Sequence, residues 1–254
     1  MLISIIIATL NAESCIDRLI ESIINQKYDD IEIIIIDGNS KDNTLEFLKK
    51  YTQNIDFLLS ETDKGIYDAW NKGIKVSKGD WIMFLGADDV LMYNTLDIYK
   101  RHIDQISIGK EPDLISSKRM MVNRSGKVIR EVGGKWIWPQ CLKSMMISHP
   151  GALHNKTLFT RYGDYDVTYK IAGDYEFLLR ANSTLSTDFI NSVTVLVSEG
   201  GISDSILAIK EHYRAVVHHY PFYKFFFLLN DIFIGMKFYL KKAFRIIGLN
   251  VHLK

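Results

Sequence analysis

The sequence predicts an α/β protein with an open, mostly parallel, twisted sheet flanked by helices. Short β-branched apolar runs at residues 2–8 and 31–36 are bounded by polar residues, as expected of strands buried on both faces of a parallel sheet. Between them Ile16, Leu19, Ile20, Ile23 and Ile24 recur at helical spacing, which makes the opening β-α-β. Alternating elements on short connections continue to residue 85. Ligands of such sheets sit beyond the carboxyl ends of the strands.

Taken in order, the run from Met1 meets polar Thr9 and Asn11 with no basic leader or small-residue cleavage site, so a first strand is expected there and not a signal peptide. A second helix is expected at residues 43–51, with Ser40 or Asp42 as N-cap, followed by a strand at 55–60, a helix at 66–76 and a strand at 81–85. Beyond residue 112 the alternation stops. Residues 114–117 read as a strand, and 120–123 and 127–132 flank Arg124, Ser125 and Gly126 as a hairpin. Residues 133–148, with Trp136, Trp138 and Pro139, have no clear period and read as a loop beside a site. A helix at 175–181, a strand at 189–197 and helical structure after 205 complete the pattern.

With 254 residues, 47% of them hydrophobic, the chain is long enough for one large core. The division expected is a catalytic domain over residues 1–220 and a helical tail over 221–254. A net charge of +1 gives no reason to expect nucleic acid as a partner. Cys15 and Cys141 are too few for a disulfide framework and lack metal-binding spacing, which suits a reducing cytoplasm.

Polar residues collect at the strand ends. Thr9, Asn11 and Glu13 follow the first strand, Asp37 the second, and Asp88 and Asp89 the fourth. In a parallel sheet these groups converge on one edge and build one pocket. Neither a G-x-G-x-x-G after the first strand nor a G-x-x-x-x-G-K-[ST] is present, which argues against dinucleotide-binding dehydrogenases and P-loop enzymes. Adjacent carboxylates on a strand-end turn are hard oxygen ligands suited to Mg²⁺ or Mn²⁺, although Asp is equally at home in turns and caps.

Six segments in order give the pattern specificity: IIIATLNAE (5–13), IDGNSKDNT (36–44), ETDKGIYDAWNKG (61–73), GDWIMFLGADD (79–89), AGDYEF (172–177) and GGIS (200–203). Over about residues 2–205 the chain resembles the family 2 glycosyltransferases of the GT-A fold, particularly the bacterial branch that builds polysaccharides. The resemblance implies an inverting transfer of sugar from a nucleotide-sugar to a hydroxyl. It places Thr9 and Asp37 at the base, Asn11 and Glu13 near the nucleotide, and Asp88 and Asp89 at the metal and ribose. Asp68, Asn71 and Lys72 would line the donor pocket, where Trp70 stands at a position frequently Arg in relatives, and Lys64 or Lys72 would offset phosphate charge. Asp174 matches the catalytic base, although Gly173 stands where the family often has Glu, and Gly86 where it often has Asp. A base within ~3 Å of the acceptor hydroxyl promotes in-line displacement at the anomeric carbon.

His149, Trp136, Trp138 and Glu176 are the candidates to bind the acceptor, a lipid-linked saccharide or a polysaccharide. The tail carries six Lys or Arg against Asp231 alone, a net of +5 that leaves −4 on the first 220 residues. Lys224, Asn230, Asp231 and Lys237 interrupt its apolar run, so a spanning helix is not expected. A basic amphipathic segment rich in Phe and Tyr suits the anionic inner face of a cell membrane, with packing on the domain or on a second copy of the chain as the alternative. Two other functions stay open on the sequence: a sugar nucleotidyltransferase, and a sugar-nucleotide-binding protein without chemistry.

Overall fold

The chain was analysed as a computed structural model describing residues 1–26, 28–123, 126–200, 205–224, 232 and 235–240. Its first part follows the β-α-β expectation: β1 (Ile3–Thr9), α1 (Ile16–Ile24), β2 (Ile31–Asp37), α2 (Thr44–Leu48) with a 3-10 turn at Lys49–Tyr51, β3 (Phe57–Ser60), α3 (Ile66–Val76) and β4 (Trp81–Gly86). The four strands pair in parallel in the order β3-β2-β1-β4. Their continuous apolar sequences are needed because both faces are covered. Ile5, Ile7, Ile33 and Ile35 pack on the side of α1, whereas Ile6, Ile34 and Ile36 pack on the side of α3. Each such side chain contributes roughly 1.5–3 kcal/mol by leaving water.

The second part is β5 (Val90–Leu91), α4 (Thr95–Asp104), β6 (Leu114–Val122), β7 (Val128–Val132), β8 (Leu153–Asn155), α5 (Thr157–Tyr162), α6 (Gly173–Arg180), β9 (Thr187–Ser198) and α7 (Ile206–His219). The sheet is mostly parallel by paired residues, as expected, and its antiparallel pairings involve the short strands β5, β7 and β8. The short β8 runs antiparallel to both β4 and β6, β5 is antiparallel to β9, and β7 folds back on β6, so in this second part only the β6–β9 pairing is parallel. The chain between β6 and β9 passes through α5 and α6, long enough to bring the two strands side by side in parallel, whereas β7 follows β6 directly and returns beside it. The result is one nine-stranded sheet, in the order β3-β2-β1-β4-β8-β6-β9-β5 with β7 beside β6.

The sequence pattern did not reveal α4, α5, β5 or β8, and it split β6 in two. Residues 133–148 hold a 3-10 turn at Gln140–Leu142, and Trp136 is buried in the core rather than displayed on a loop. Residues 124, 125, 201–204 and most of the tail lie outside the described residues, as therefore do the hairpin turn, most of the GGIS segment and the amphipathic arrangement expected after 221. Among the described residues no helix is long and apolar enough to cross a membrane.

Candidate active site

Strand registry brings three polar ends together. Thr9 stands opposite Asp37 and Ala8 opposite Gly86, so β2, β1 and β4 finish side by side on one sheet edge. Asp37 is fully buried. Its Oδ1 accepts from the Ser40 hydroxyl at 2.5 Å, and its Oδ2 accepts from the Ser40 N–H at 3.0 Å and the Ser60 hydroxyl at 2.6 Å. The carboxylate thus knits the loops after β2 and β3 together. Asn11, in a left-handed conformation at φ 50°, accepts from Lys41 N–H at 2.8 Å. Glu13 Oε2 accepts from the backbone and side-chain nitrogens of Asn43, both at 2.9 Å.

At the end of β4 the chain turns back on itself. Gly86 N–H donates to Asp89 Oδ2 at 2.7 Å, and Asp89 N–H donates to the Gly86 carbonyl at 3.1 Å. A Cβ at Gly86 would stand 3.4 Å from an oxygen of each carboxylate, Asp88 Oδ1 and Asp89 Oδ2, so both acids converge on this glycine and a larger residue would crowd them. Asp88 is exposed and Asp89 buried. Burial, reinforced by the Asp88 charge, raises the Asp89 pKa to about 7, against the pull of the Gly86 N–H and Arg119.

A cavity of about 410 Å³ opens beside these acids. Its lining also includes Asp174, half-buried in the first turn of α6. The segment leading to Asp174 is clamped by Glu211 of α7, whose carboxylate accepts from the N–H groups of Lys170, Ile171 and Ala172 at 2.8–3.1 Å. Those donors precede a helix and would otherwise lack partners. From α3, the Tyr67 hydroxyl stands 3.0 Å from Asp174 Oδ1 and 2.5 Å from the Ile171 carbonyl. Burial raises the pKa of Asp174, against the Tyr175 N–H, the Tyr67 hydroxyl and Arg119. Arg119 enters the cavity from β6, on the same face as Met121 two residues on. Both Asp89 and Asp174 act on its charge, yet its Nε is buried without a hydrogen-bond partner.

Orphaned polar atoms gather at this edge. Thr9 Oγ1, Trp70 Nε1 and Arg119 Nε are all buried and unpartnered among the described residues, and Trp70 and Arg119 line the cavity. Buried polar groups are normally satisfied, and the two that line the cavity stand where a ligand can complete their bonds; other buried unpartnered atoms among the described residues, Tyr99 Oη and His154 Nδ1 among them, do not line it.

Comparison with known proteins agrees with the geometry. Residues 4–107 match Glycosyl transferase family 2. A Mycobacterium tuberculosis PGL/p-HBAD biosynthesis glycosyltransferase is 31% identical over 210 residues, covering 80% of each chain. The chain belongs to glycosyl transferase family 2. A Methanococcus voltae dolichyl N-acetyl-α-D-glucosaminyl phosphate 3-β-D-2,3-diacetamido-2,3-dideoxy-β-D-glucuronosyltransferase is 26% identical over 271 residues, 92% of this chain and 82% of that one. The crystal structure of S. aureus TarS 1–349 in complex with UDP-GlcNAc superposes with a TM-score of 0.69 at 17% identity, covering 86% of this chain. This chain spans 66% of that one, just under two thirds. The fold is of the GT-A type, and family membership decides for a glycosyltransferase over a sugar nucleotidyltransferase.

Several expected site residues of this glycosyltransferase are placed elsewhere. Asp68 accepts from the Lys64 N–H at 3.0 Å and secures the start of α3. Lys72 is held by Glu61 at 2.9 Å and Asp68 at 3.4 Å, so neither residue lines the cavity. Asn71 is buried, bonded at 2.9 Å to both the N–H and the carbonyl of Tyr165. Lys64 contributes its carbonyl, which accepts from Lys170 Nζ. The face of α3 toward the cavity is instead Ile66, Tyr67 and Trp70, because the helical period carries Asp68, Asn71 and Lys72 away from it.

The acceptor candidates divide. His149 lines the cavity, but it is stacked on Trp70 at 4.9 Å and burial, with Arg119 nearby, pushes its pKa down to about 3. It is therefore neutral in the cavity wall. Trp136 belongs to the core, and Trp138 packs against Tyr220 with ring centres 5.3 Å apart; neither lines the cavity. Glu176 is buried in ion pairs with Arg180 at 2.6 Å and His219 at 2.7 Å, so the acceptor role expected of it is corrected.

Sequence reasoning missed Arg119, gave Tyr67 no role and passed over Glu211. Within LISSKRMMV Arg119 follows Lys118 and has no alternating pattern to single it out, so no local signal marked it. Nothing local marked Tyr67 or Glu211, because their partners are distant in sequence.

Proposed function

We propose that this glycosyltransferase is an inverting, divalent-metal-dependent enzyme moving a sugar from a nucleotide-sugar, a UDP-sugar, to a hydroxyl of a lipid-linked or polysaccharide acceptor. The observation that carries this is that one cavity is lined by both the half-buried Asp174 and the Asp88–Asp89 pair, with Arg119 feeling the charge of Asp89 and of Asp174. Such an arrangement separates a base from a leaving-group pole, as in-line displacement requires.

Asp88 and Asp89 fit Mg²⁺ or Mn²⁺: both are hard oxygen donors, and their carboxylates converge on Gly86. When bound, the ion offsets charge on the diphosphate leaving group. Among the described residues no cluster of three or more potential ligands is present, which suits an ion completed by water and phosphate oxygens. Thr9, with its free hydroxyl oxygen, and the loops knitted by Asp37, Asn11 and Glu13 form the nucleotide end. Arg119 presents a cation toward the growing charge of the leaving group. Asp174 takes the proton of the acceptor hydroxyl, and its raised pKa suits a base that must hold that proton. Attack opposite the leaving phosphate inverts the anomeric centre.

The TarS complex with UDP-GlcNAc supports the choice of a uridine donor, and the name of the archaeal relative, with its dolichyl-linked sugar phosphate, supports a lipid-linked acceptor. Residues 1–220 form the catalytic unit in this reading, acting in the cytoplasm, and the basic segment 221–254 holds it at the anionic inner face of the membrane. Removing that segment should abolish co-sedimentation with anionic vesicles without weakening nucleotide binding; equal sedimentation of both chains sinks the membrane part alone.

The test of the reaction is incubation with Mn²⁺ or Mg²⁺ and UDP-, GDP- and dTDP-sugars, following thermal stabilisation and slow donor hydrolysis. Only a donor that binds the folded chain stabilises it by mass action. A metal-dependent response to a UDP-sugar is expected, and no response to any donor with either metal would refute the assignment.

A further inference from the structure

Asp174 is faced from three elements: Tyr67 of α3, Arg119 of β6, and Tyr165 in the segment between α5 and α6. Tyr67 alone among them is within hydrogen-bonding distance, and its position is determined closely. Its ring meets Trp70 edge-on at 5.4 Å and Tyr165 at 5.5 Å. A Cβ at residue 173 would stand 2.8 Å from the Tyr67 Cε2 and 2.9 Å from two further ring carbons, so Gly173 is what lets the ring lie against the first turn of α6. The Gly-Asp pair and the tyrosine are one packing unit. A residue with any side chain at 173 would displace the ring and its hydroxyl together.

That hydroxyl has one proton and two acceptors, Asp174 Oδ1 at 3.0 Å and the Ile171 carbonyl at 2.5 Å. We propose that Tyr67 is a positioning residue for Asp174, its hydroxyl proton turning between the Asp174 carboxylate and the Ile171 carbonyl as the carboxylate gains its own proton. While Asp174 is ionised, the charge-assisted bond to Oδ1 is the stronger of the two and fixes the direction in which the carboxylate faces. When the acceptor O–H bond breaks and its proton forms a new O–H bond on Asp174, the charge that held the phenol proton is gone. The phenol O–H bond stays intact throughout and rotates to Ile171, which keeps a buried hydroxyl satisfied in both states. Glu211 supports this by holding the N–H of Ile171 from the other side at 2.8 Å, so both acceptors belong to a segment that does not shift between them.

The inference rests on Asp174 being the base, and the experiment separates the two claims. Tyr67→Phe keeps the ring and removes only the hydroxyl. It should lower kcat roughly 10-fold or more, with donor KM and melting temperature near those of the parent chain. The acidic limb of its kcat/KM profile should move to higher pH, because the carboxylate has lost a donor that stabilised its charge. Replacing Tyr67 by 3-fluorotyrosine, which keeps the fold and strengthens the donor, should move that limb to lower pH, and it serves equally if the Phe variant folds poorly. Asp174→Asn measured alongside should be far slower than either. A Tyr67→Phe enzyme with parental kcat and an unmoved pH profile, beside an impaired Asp174→Asn, overturns the role of Tyr67 alone; a normal Asp174→Asn overturns the base assignment beneath it.

Discussion

The two walls of the cavity are built by different kinds of contact. On the β4 wall the carboxylate pair is set by a local turn, Gly86 to Asp89 three residues apart, with one longer bond from Arg18 to the Asp88 carbonyl. On the α6 wall they cross the chain: Tyr67 reaches Asp174 across 107 residues, and Glu211 clamps Lys170 across 41. The first wall is set as soon as four parallel strands register; the second exists only when α3, α6 and α7 have all docked. Chemistry that depends on binding therefore belongs with the local wall, and chemistry that depends on exact placement of a proton acceptor belongs with the long-range one.

The sharpest way to break this division is at the long-range wall. Asp174→Asn keeps the shape and removes the base, and turnover should fall roughly 10²-fold or more, while affinity for UDP with Mn²⁺ changes little. Single-turnover kinetics beside calorimetry would separate the effects, and parental turnover in a folded variant would end the assignment. The local wall should respond in the opposite sense. Asp89→Ala should weaken metal-dependent UDP binding by roughly 10-fold or more, as loss of a bond to a charged group does. Asp88→Ala should do so less, its carboxylate being exposed. Unchanged calorimetric affinity in both variants and their combination would refute the metal site.

Arg119 lies between the walls and sharpens the comparison. A half-buried arginine whose buried Nε has no partner among the described residues is a cost to the fold that a ligand can relieve. Arg119→Met should lower turnover about 10-fold while leaving the melting temperature equal to or above that of the parent chain, the usual trade between stability and function. A lower melting temperature with normal turnover would make Arg119 a structural residue.

The same difference explains what the sequence could tell. The strands β1, β2 and β4 were legible because burial on both faces demands unbroken apolar runs, Asp37 because it directly follows such a run, and Asp88 and Asp89 because they stand on the turn just beyond one. The helix α3 was bounded correctly, yet its cavity-facing side was misread: the motif's polar residues drew attention, while Tyr67 and Trp70 turn inward. Nothing in AGDYEF tells which side of the helix meets α7, so the sequence alone does not separate Glu176 from Asp174, two residues before it. Only the docking of α7, with His219, decides it.

Glu176 gives the final prediction, the one with the least effect on turnover near neutral pH. Burial alone would raise its pKa, but the hydrogen bonds from His219 and Arg180 and the Arg180 charge outweigh it, and the carboxyl is held down to about 2 from an ordinary 4.5. A carboxyl depressed in the folded state stabilises the fold fully above its unfolded value and loses that contribution as pH falls through the folded one. The stabilisation is on the order of a few kcal/mol, present above about pH 4.5 and lost between there and about pH 2. Melting curves of the parent chain and Glu176→Gln from pH 7 to pH 2.5 should therefore converge as the medium is acidified, the variant starting lower and showing the shallower decline. Because Glu176 is enclosed by α6 and α7 and does not line the cavity, the KM for acceptor should stay at its parental value. Parallel melting curves would show that the ion pairs with Arg180 and His219 do not stabilise the ionised carboxylate, and a raised acceptor KM would return Glu176 to the site after all.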